Sequence, residues 1–280
     1  MYKSAIKKNS SYVVPFIEGI KYYGSDEIEH ALATMIIVNK HGDILTCKHV
    51  ANDLIASNNL INNYKNLLSE LKKDKKGTEK KYKLDKNTIV LNNVYLPFNI
   101  NGKVDIEIKV HKSLDLALIK LKGINIECNN YPIFSKTMPE QGQSVCKLGY
   151  AFPEYSYYEY KDDNIVFKKD MVSNFPLFPM DGIVTRHVID ENNVMSMFET
   201  STPGLRGQSG GPVFSPEGIV YGIQTLTKHI DLNFDVDTEV KRGVDNKRVT
   251  FTPFINLGVC VSSKEVIKFL DENKVEYQSI

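Results

Sequence analysis

Residues Thr202 to Thr225 read TPGLRGQSGGPVFSPEGIVYGIQT, and they contain the serine from which the rest of the sequence is interpreted. Ser209 lies within GQSGGP (residues 207–212), where glycines on both sides let the backbone turn sharply and leave the hydroxyl exposed. Such a turn can also direct the N–H groups of Gly207 and Ser209 into one concavity, where they would stabilise a developing oxyanion. The alternative is a glycine-rich surface turn with an incidental serine.

The residues around this turn predict β-structure. Pro212 to Phe214 and Gly218 to Gln224 are apolar runs joined by SPEG, which indicates the two strands of a hairpin. The turn Gly42-Asp43 between two apolar runs predicts another hairpin near the N-terminus. Strand-like runs recur along the whole chain, so we expect a mainly β protein.

The composition indicates a globular protein and points to no particular partner. The chain has 280 residues, 42% hydrophobic content and a net charge of +1. This charge balance provides no field that would attract nucleic acid or an anionic membrane, so neither is expected as a partner. No run approaches the ~18 apolar residues of a membrane helix, and the N-terminus lacks the apolar region of a signal peptide. We therefore expect a cytoplasmic location.

The four cysteines of the chain lie far apart in the sequence. They form no CxxC motif and no Cys/His pair at the spacing typical of metal sites. The sequence therefore predicts buried free thiols, and it implies neither a metal ion nor an organic cofactor.

Two further residues are candidates for a shared site with Ser209. His49 follows the strand-like run ILTC (residues 44–47) and precedes a helical-looking segment, Ala51 to Leu60. Asp115 precedes an almost unbroken apolar strand, and a carboxylate beside such a strand needs a buried partner, for which an imidazole is suitable. Taken singly, His49 has a structural alternative, and Asp115 can equally be a solvent-facing residue at the end of a turn.

Three segments depart from the strand-rich pattern. Asn52 to Asn87 is Asn-rich and then Lys-rich, and its leucines at helical spacing predict an amphipathic helix followed by solvated lysines. Ala151 to Asp181 suits either a lid or an extended hairpin of the core, and Lys228 to Asn246 predicts a loop. A serine cap indicates a C-terminal helix over residues 262–273. The tyrosines of the second segment are Tyr155, Tyr157, Tyr158 and Tyr160.

The order His49, Asp115, Ser209 in a strand-rich sequence resembles that of the chymotrypsin-like serine peptidases. Within that superfamily the chain is most similar to the protease domain of the bacterial HtrA (Deg) type, although the sequence predicts no PDZ domain after the peptidase domain. The matching motifs are ILTCKHV (residues 44–50), DLALIK (115–120), GQSGGP (207–212), GIQT (222–225) and FINLGV (254–259). The resemblance covers nearly the whole chain.

This resemblance implies a fold of two six-stranded antiparallel β-barrels with a C-terminal helix and helical or loop insertions. It implies a single peptidase domain over residues 1–280. The first barrel is expected at about 10–125 with an insertion at 52–87, the second at about 140–261, and the helix at 262–273.

The resemblance also implies a serine endopeptidase acting on a protein or peptide substrate. Ser209 would attack the peptide carbonyl, His49 would transfer the proton and Asp115 would hold the imidazole, while the N–H groups of Gly207 and Ser209 bind the oxyanion. Pro203 would form the floor of the pocket for P1, the residue on the N-terminal side of the cleaved bond. The residues implied to bind the substrate are Pro203, Gln224, Thr225 and Leu226.

An apolar or small P1 residue is expected. Cleavage after Lys or Arg needs a carboxylate in the pocket, and no acidic residue occurs from Ser201 to Gln208. The exception would be a carboxylate that reaches the pocket from the following loop, at Asp231, Asp235 or Asp237.

One departure from the animal trypsins concerns activation. Gln208 replaces the aspartate with which they anchor a newly cleaved N-terminus, so activation by that salt bridge is not expected. Ala151 to Asp181 then becomes the candidate for ordering the active loop, which is the loop that carries Ser209. A regulatory protein partner is an open alternative.

Two other functions also remain open: a catalytically silent peptide-binding module and an esterase. The esterase is disfavoured because GQSGGP precedes a strand, whereas a helix follows the G-x-S-x-G elbow.

Overall fold

The computed structural model of the chain describes residues 1–98, 104–152, 158–168, 175–189, 194–243 and 245–280. The helices in these residues are α1 (Lys3–Asn9), α2 (Lys48–Lys73), α3 (Lys75–Tyr82) and α4 (Ser263–Glu272). The strands are β1 (Val13–Tyr22), β2 (Ile28–Ile37), β3 (Asp43–Thr46), β4 (Ile89–Tyr95), β5 (Asp105–Val110), β6 (Ala117–Lys122), β7 (Ile133–Phe134), β8 (Ser144–Tyr150), β9 (Tyr158–Lys161), β10 (Asn164–Phe167), β11 (Leu177–Ile189), β12 (Met195–Thr200), β13 (Pro212–Phe214), β14 (Val220–Asp231), β15 (Val236–Arg242), β16 (Asp245–Phe251), β17 (Phe254–Ser262) and β18 (Gln278–Ser279). The expected mainly β class is confirmed.

The first sheet has six strands in the order β4-β1-β2-β3-β6-β5. All neighbouring strands are antiparallel, and the predicted hairpin joins β2 to β3 with Ile36 opposite Leu45 and Gly42 in the turn at φ +82°. Between the described residues of β4 and β5 there is no pairing, so this sheet is a curled half-barrel.

The second sheet contains the closed barrel. Six strands form a ring in the order β13-β8-β11-β12-β17-β14, which the pairing of β13 with β14 closes. β7 and β18 extend this sheet beyond β14 through parallel pairings. The architecture is therefore consistent with the expected chymotrypsin-like fold, with an open first sheet and two additional strands in the second.

One hydrophobic core joins the two sheets and the C-terminal helix. It includes Tyr12 and Leu118 from the first part of the chain, Phe214 from the second sheet, and Phe269 from α4. The cap of α4 is Ser262, whose side chain accepts a hydrogen bond from the N–H of Glu265, so the predicted C-terminal helix is confirmed. The expected division of the chain into domains stays a prediction.

The insertion after His49 is more helical than the sequence indicated. α2 begins at Lys48, before the predicted start at Ala51, and extends over 26 residues. The lysine-rich part, expected to be a solvated loop, lies on the end of α2 and on α3, with its lysines exposed. No helix among the described residues is long and apolar enough to cross a membrane.

The prediction of a loop at Lys228 to Asn246 is wrong. β14 continues to Asp231, and β15 and β16 form an antiparallel hairpin beyond it. An ion pair between Arg248 and Asp237 (2.8 Å) and a hydrogen bond from Thr250 to Asp237 (2.5 Å) join its two strands. Most of the hairpin's side chains are exposed, so its sequence carries no apolar alternation that would identify a strand.

Part of the segment from Ala151 to Asp181 forms the β9–β10 hairpin, which packs against α2 and β4. Ile165 of this hairpin is buried in a small apolar cluster with Tyr64 of α2. The hydroxyl groups of Tyr64 and Tyr160 are 2.8 Å apart. Tyr155 and Tyr157 lie outside the described residues. This packing is that of an extended hairpin that adds to the core.

Candidate active site

The strand register brings His49 and Asp115 together. Thr46 at the end of β3 is paired with Ala117 at the start of β6, so the residues just beyond these two strand ends are neighbours. Asp115 Oδ2 lies 2.8 Å from His49 Nδ1, and Asp115 Oδ1 accepts a hydrogen bond from the backbone N–H of His49 at 3.0 Å. These two bonds fix the orientation of the carboxylate and of the imidazole.

The pKa values of the pair are shifted in opposite directions. The hydrogen bond with Asp115 raises the pKa of His49 above its usual value, although burial opposes this shift. Burial raises the pKa of Asp115, but the hydrogen bonds and the charge of His49 outweigh it, so the net shift is downward. Asp115 is therefore ionised at neutral pH, and His49 keeps its proton to a higher pH than a free imidazole does.

The turn that carries Ser209 has the geometry expected from its glycines. The N–H of Gln208 donates to the Leu205 carbonyl (2.9 Å), and Gly207 at the third position of this turn has φ +99°, as type II turns require. A Cβ atom on Gly207 would lie 2.0 Å from the Tyr150 carbonyl oxygen, so only glycine fits. Within the described part of the chain, neither the N–H of Gly207 nor that of Ser209 has an acceptor.

The carbonyl of Gln224 joins the serine turn to Cys47, which lies two residues before His49. This oxygen accepts hydrogen bonds from the N–H of Gly210 (2.9 Å) and from the thiol of Cys47 (3.4 Å). The serine turn is therefore held beside the strand end that leads into His49. The Ser209 hydroxyl donates to the Thr225 carbonyl (3.3 Å), and no hydrogen bond joins it to His49 among the described residues. In enzymes without substrate such bonds are often long or poorly aligned.

The residues expected to bind substrate lie on both sides of the serine turn. Leu226 is 49% exposed, whereas Gln224 is 2% exposed and its side chain points into the protein. The carbonyl of Pro203, the expected pocket floor, accepts a hydrogen bond from Lys147 Nζ (2.7 Å). Two of the three carboxylates that could have made the pocket acidic have other partners. Asp235 accepts a hydrogen bond from Thr252, and Asp237 accepts hydrogen bonds from Arg248 and Thr250.

Lys147 is a residue that the sequence interpretation missed. It lies on β8, is 1% exposed, and donates three hydrogen bonds from Nζ, to Thr200 Oγ1 (3.1 Å), the Thr202 carbonyl (2.5 Å) and the Pro203 carbonyl (2.7 Å). Burial lowers its pKa to about 8. The sequence does contain a feature that could have identified Lys147, because it lies inside the apolar run VCKLG. A lysine in such a run is buried, and a buried charge requires hydrogen-bond partners.

Gln208 links the serine turn to the neighbouring strand. Its side chain is fully buried, Oε1 accepts from the N–H of Leu205 (3.1 Å), and Nε2 donates to the Phe178 carbonyl on β11 (3.0 Å). Phe178 belongs to the segment that the sequence suggested for ordering the active loop. A neutral amide thus joins the turn to β11. At the position of Gln208 the animal trypsins have the aspartate that anchors a charged N-terminus.

We expect Gln208→Leu to lower kcat, because the turn loses both side-chain bonds and the N–H of Gly207 is no longer held in place. Loss of one oxyanion donor costs roughly 10²- to 10³-fold in kcat. The matched control is Gln143→Leu, since Gln143 Oε1 accepts the N–H of Glu140 (2.9 Å) at the same three-residue spacing in a distant turn. Steady-state kinetics and thermal unfolding of both variants would test this. Equal losses in the two variants would contradict it.

Three side chains that could act as metal ligands meet at this site. The ligand atoms of Cys47, His49 and Asp115 lie within 4.8 Å of one another. Burial, followed by the charge of Asp115, raises the pKa of the Cys47 thiol well above its usual value. A thiol held in its protonated form is a poor metal ligand, because the thiolate is the species that binds. The expectation of no metal ion and no cofactor stays a prediction.

Comparison with known families assigns the chain to one family. A family model described as a trypsin-like peptidase domain matches residues 33–223, a segment that includes His49, Asp115 and Ser209. No curated protein sequence shows a significant match. The family match covers more than half of the chain and is consistent with the fold of the two sheets. The chain therefore belongs to the family of trypsin-like peptidase domains.

Proposed function

We propose that this chain is a serine endopeptidase that uses His49, Asp115 and Ser209. Membership of the trypsin-like peptidase domain family suggests serine peptidase activity. The observation that carries the proposal is the doubly hydrogen-bonded pair of Asp115 and His49 beside a serine turn in which the N–H groups of Gly207 and Ser209 have no acceptor among the described residues. Among trypsin-like domains, the motifs favour the HtrA type.

In the proposed reaction, Ser209 Oγ attacks the carbonyl carbon of the peptide while His49 Nε2 takes the hydroxyl proton. The carbonyl oxygen becomes an oxyanion, which the N–H groups of Gly207 and Ser209 stabilise. His49 then donates the proton to the leaving amine as the C–N bond breaks, which gives an acyl-enzyme. A water molecule, deprotonated by His49, hydrolyses this ester and restores Ser209. Asp115 holds the imidazole tautomer and stabilises the imidazolium throughout.

The free edge of β14 supports a peptide substrate over a simple ester. This strand pairs with β17 on one side from Leu226 to Asp231, and no described strand pairs with Thr225 to Asp231 on the other side. An extended peptide can add to such an edge through backbone hydrogen bonds. Thr225 and Leu226, expected to bind substrate, begin this edge next to Ser209.

One observation favours the alternative function, a catalytically silent peptide-binding module. The Ser209 hydroxyl donates to the Thr225 carbonyl, so it must rotate towards His49 before it can lose its proton. A regulatory partner that favours this rotation is compatible with either function.

Labelling with an alkyl fluorophosphonate tests the proposal. This reagent has no P1 side chain, and it modifies a serine only when that serine is activated as a nucleophile. We expect stoichiometric modification, located at Ser209 by peptide mapping, and no modification after heat unfolding. Absence of labelling on the folded protein would favour the silent binder. If the folded protein reacts with the reagent, and a separate unlabelled sample hydrolyses small esters but cleaves no member of a peptide library, the esterase alternative would replace the peptidase.

A further inference from the structure

The two segments that the resemblance places around a P1 side chain, one carrying Pro203 and the other carrying Gln224 to Leu226, contact each other directly. Thr227 Oγ1 donates a hydrogen bond to the Gly204 carbonyl (2.5 Å), which joins β14 to the segment that carries Pro203. The amide of Gln224 lies directly against Gly204, since a Cβ atom added there would be 2.2 Å from Gln224 Nε2. The stretches of chain that carry the residues expected to bind the substrate, around Pro203 and along β14, leave no gap for a large side chain at Gly204.

Both polar atoms of the Gln224 side chain form hydrogen bonds that hold the amide in this position. Nε2 donates to the carbonyls of Leu226 (2.8 Å) and Val259 (3.3 Å), and Oε1 accepts from the thiol of Cys260 (3.5 Å). The residue is only 2% exposed. Moving the amide out of the pocket would leave buried polar groups unpaired, which is costly. The Gln224 side chain is therefore fixed against Gly204 by hydrogen bonds and is not free to rotate away.

The ammonium group of Lys147 lies at the expected floor of the pocket, where Nζ donates to the Pro203 carbonyl (2.7 Å). Gly258 on β17 is the register partner of Thr227 on β14. A Cβ atom on Gly258 would lie 2.6 Å from Thr200 Oγ1 and 2.7 Å from Lys147 Nζ. A long P1 side chain would therefore meet a buried ammonium group, which would repel a basic P1 residue in particular.

We propose that Gln224 and Thr227 restrict P1 to glycine, alanine or serine, an inference that rests on the proposed endopeptidase function. A larger side chain must break the Thr227–Gly204 bond or displace the Gln224 amide. The sequence predicted an apolar or small P1 residue, and these contacts narrow that expectation to small residues. They also assign the restriction to two residues of β14, one of which, Thr227, was not among the residues expected to bind substrate.

Peptidyl phosphonates that differ only in P1 test this restriction, because they modify the nucleophilic serine without a need for turnover. We expect the rate of Ser209 modification with P1 alanine to exceed that with P1 leucine by at least ~10-fold, since one methylene group is worth roughly 10–200-fold. Thr227→Ala and Gln224→Ala should each reduce this ratio. P1 arginine should remain slow in all variants. The control is Thr250→Ala, which removes another hydrogen-bonded threonine hydroxyl, on β16 (Thr250 to Asp237, 2.5 Å).

The alkyl fluorophosphonate separates this inference from the proposed function. If it modifies Ser209 but P1 alanine and P1 phenylalanine react equally fast, the restriction is wrong and the nucleophile stands. An unchanged alanine-to-leucine ratio in both variants, with thermal unfolding as in the unsubstituted protein, would also overturn it. Failure of the fluorophosphonate itself would remove the proposed function and the restriction together. Thr227 is only partly buried, so Thr227→Ala alone decides the matter if Gln224→Ala does not fold.

Discussion

Ser209→Ala is expected to abolish peptide hydrolysis while the protein stays folded. The substitution removes one oxygen atom, keeps Cβ, and breaks only the hydrogen bond from the hydroxyl to the Thr225 carbonyl. Loss of the nucleophile from a serine triad lowers kcat by roughly 10⁴- to 10⁶-fold. The rate of hydrolysis of a good peptide substrate and the thermal unfolding midpoint should be measured on the same preparation.

The control for this substitution is Ser10→Ala. The Ser10 hydroxyl is exposed and donates to the Lys7 carbonyl (3.0 Å) at the end of α1, far in sequence from the candidate site. We expect this variant to keep the full rate. Turnover by Ser209→Ala above a tenth of the unsubstituted rate would remove Ser209 from the mechanism. A rate lost in both variants would indicate a general loss of folded protein.

The fold was largely predictable because its strands carry local signals. The apolar runs around Gly42-Asp43 identified the β2–β3 hairpin, and Ser262 identified the start of α4. Each of these signals depends on residues close in sequence, namely a turn glycine or a capping side chain. The order of the three motifs then indicated the arrangement of the two sheets, which no single motif contains.

The parts that sequence did not predict either lack an apolar pattern or depend on contacts between residues that are distant in sequence. The β15–β16 hairpin was interpreted as a loop because few of its side chains are buried, and its stability comes from pairing that a linear pattern does not reveal. The partners of Lys147 follow it by more than 50 positions, at Thr200, Thr202 and Pro203. The bond from Gln208 to Phe178 likewise requires β11 to lie beside the turn. Such contacts exist only in the folded chain.

His49→Ala and Asp115→Asn are expected to be severely damaging, and neither should add to the loss caused by Ser209→Ala. The three residues act as one unit, so removing a second member after the nucleophile is gone has little left to affect. Asp115→Asn should lower kcat by roughly 10⁴-fold, because an amide no longer favours the imidazole tautomer with a free Nε2. The controls are His187→Ala and Asp43→Asn, whose side chains bond to the Pro139 carbonyl and to Asn39 respectively.

The pH dependence of Asp115→Asn gives a second test of the same pair. The hydrogen bond with Asp115 raises the pKa of His49, and hydrolysis requires the neutral imidazole, so activity falls as the pH drops through this pKa. Without the carboxylate charge the pKa of His49 is lower, and the acid limb of kcat/KM should move to lower pH. The measurement is the residual activity of Asp115→Asn across the acid range, with Asp43→Asn in parallel. A limb that stays in place, or losses that multiply when Asp115→Asn is combined with Ser209→Ala, would show that these residues do not share one site.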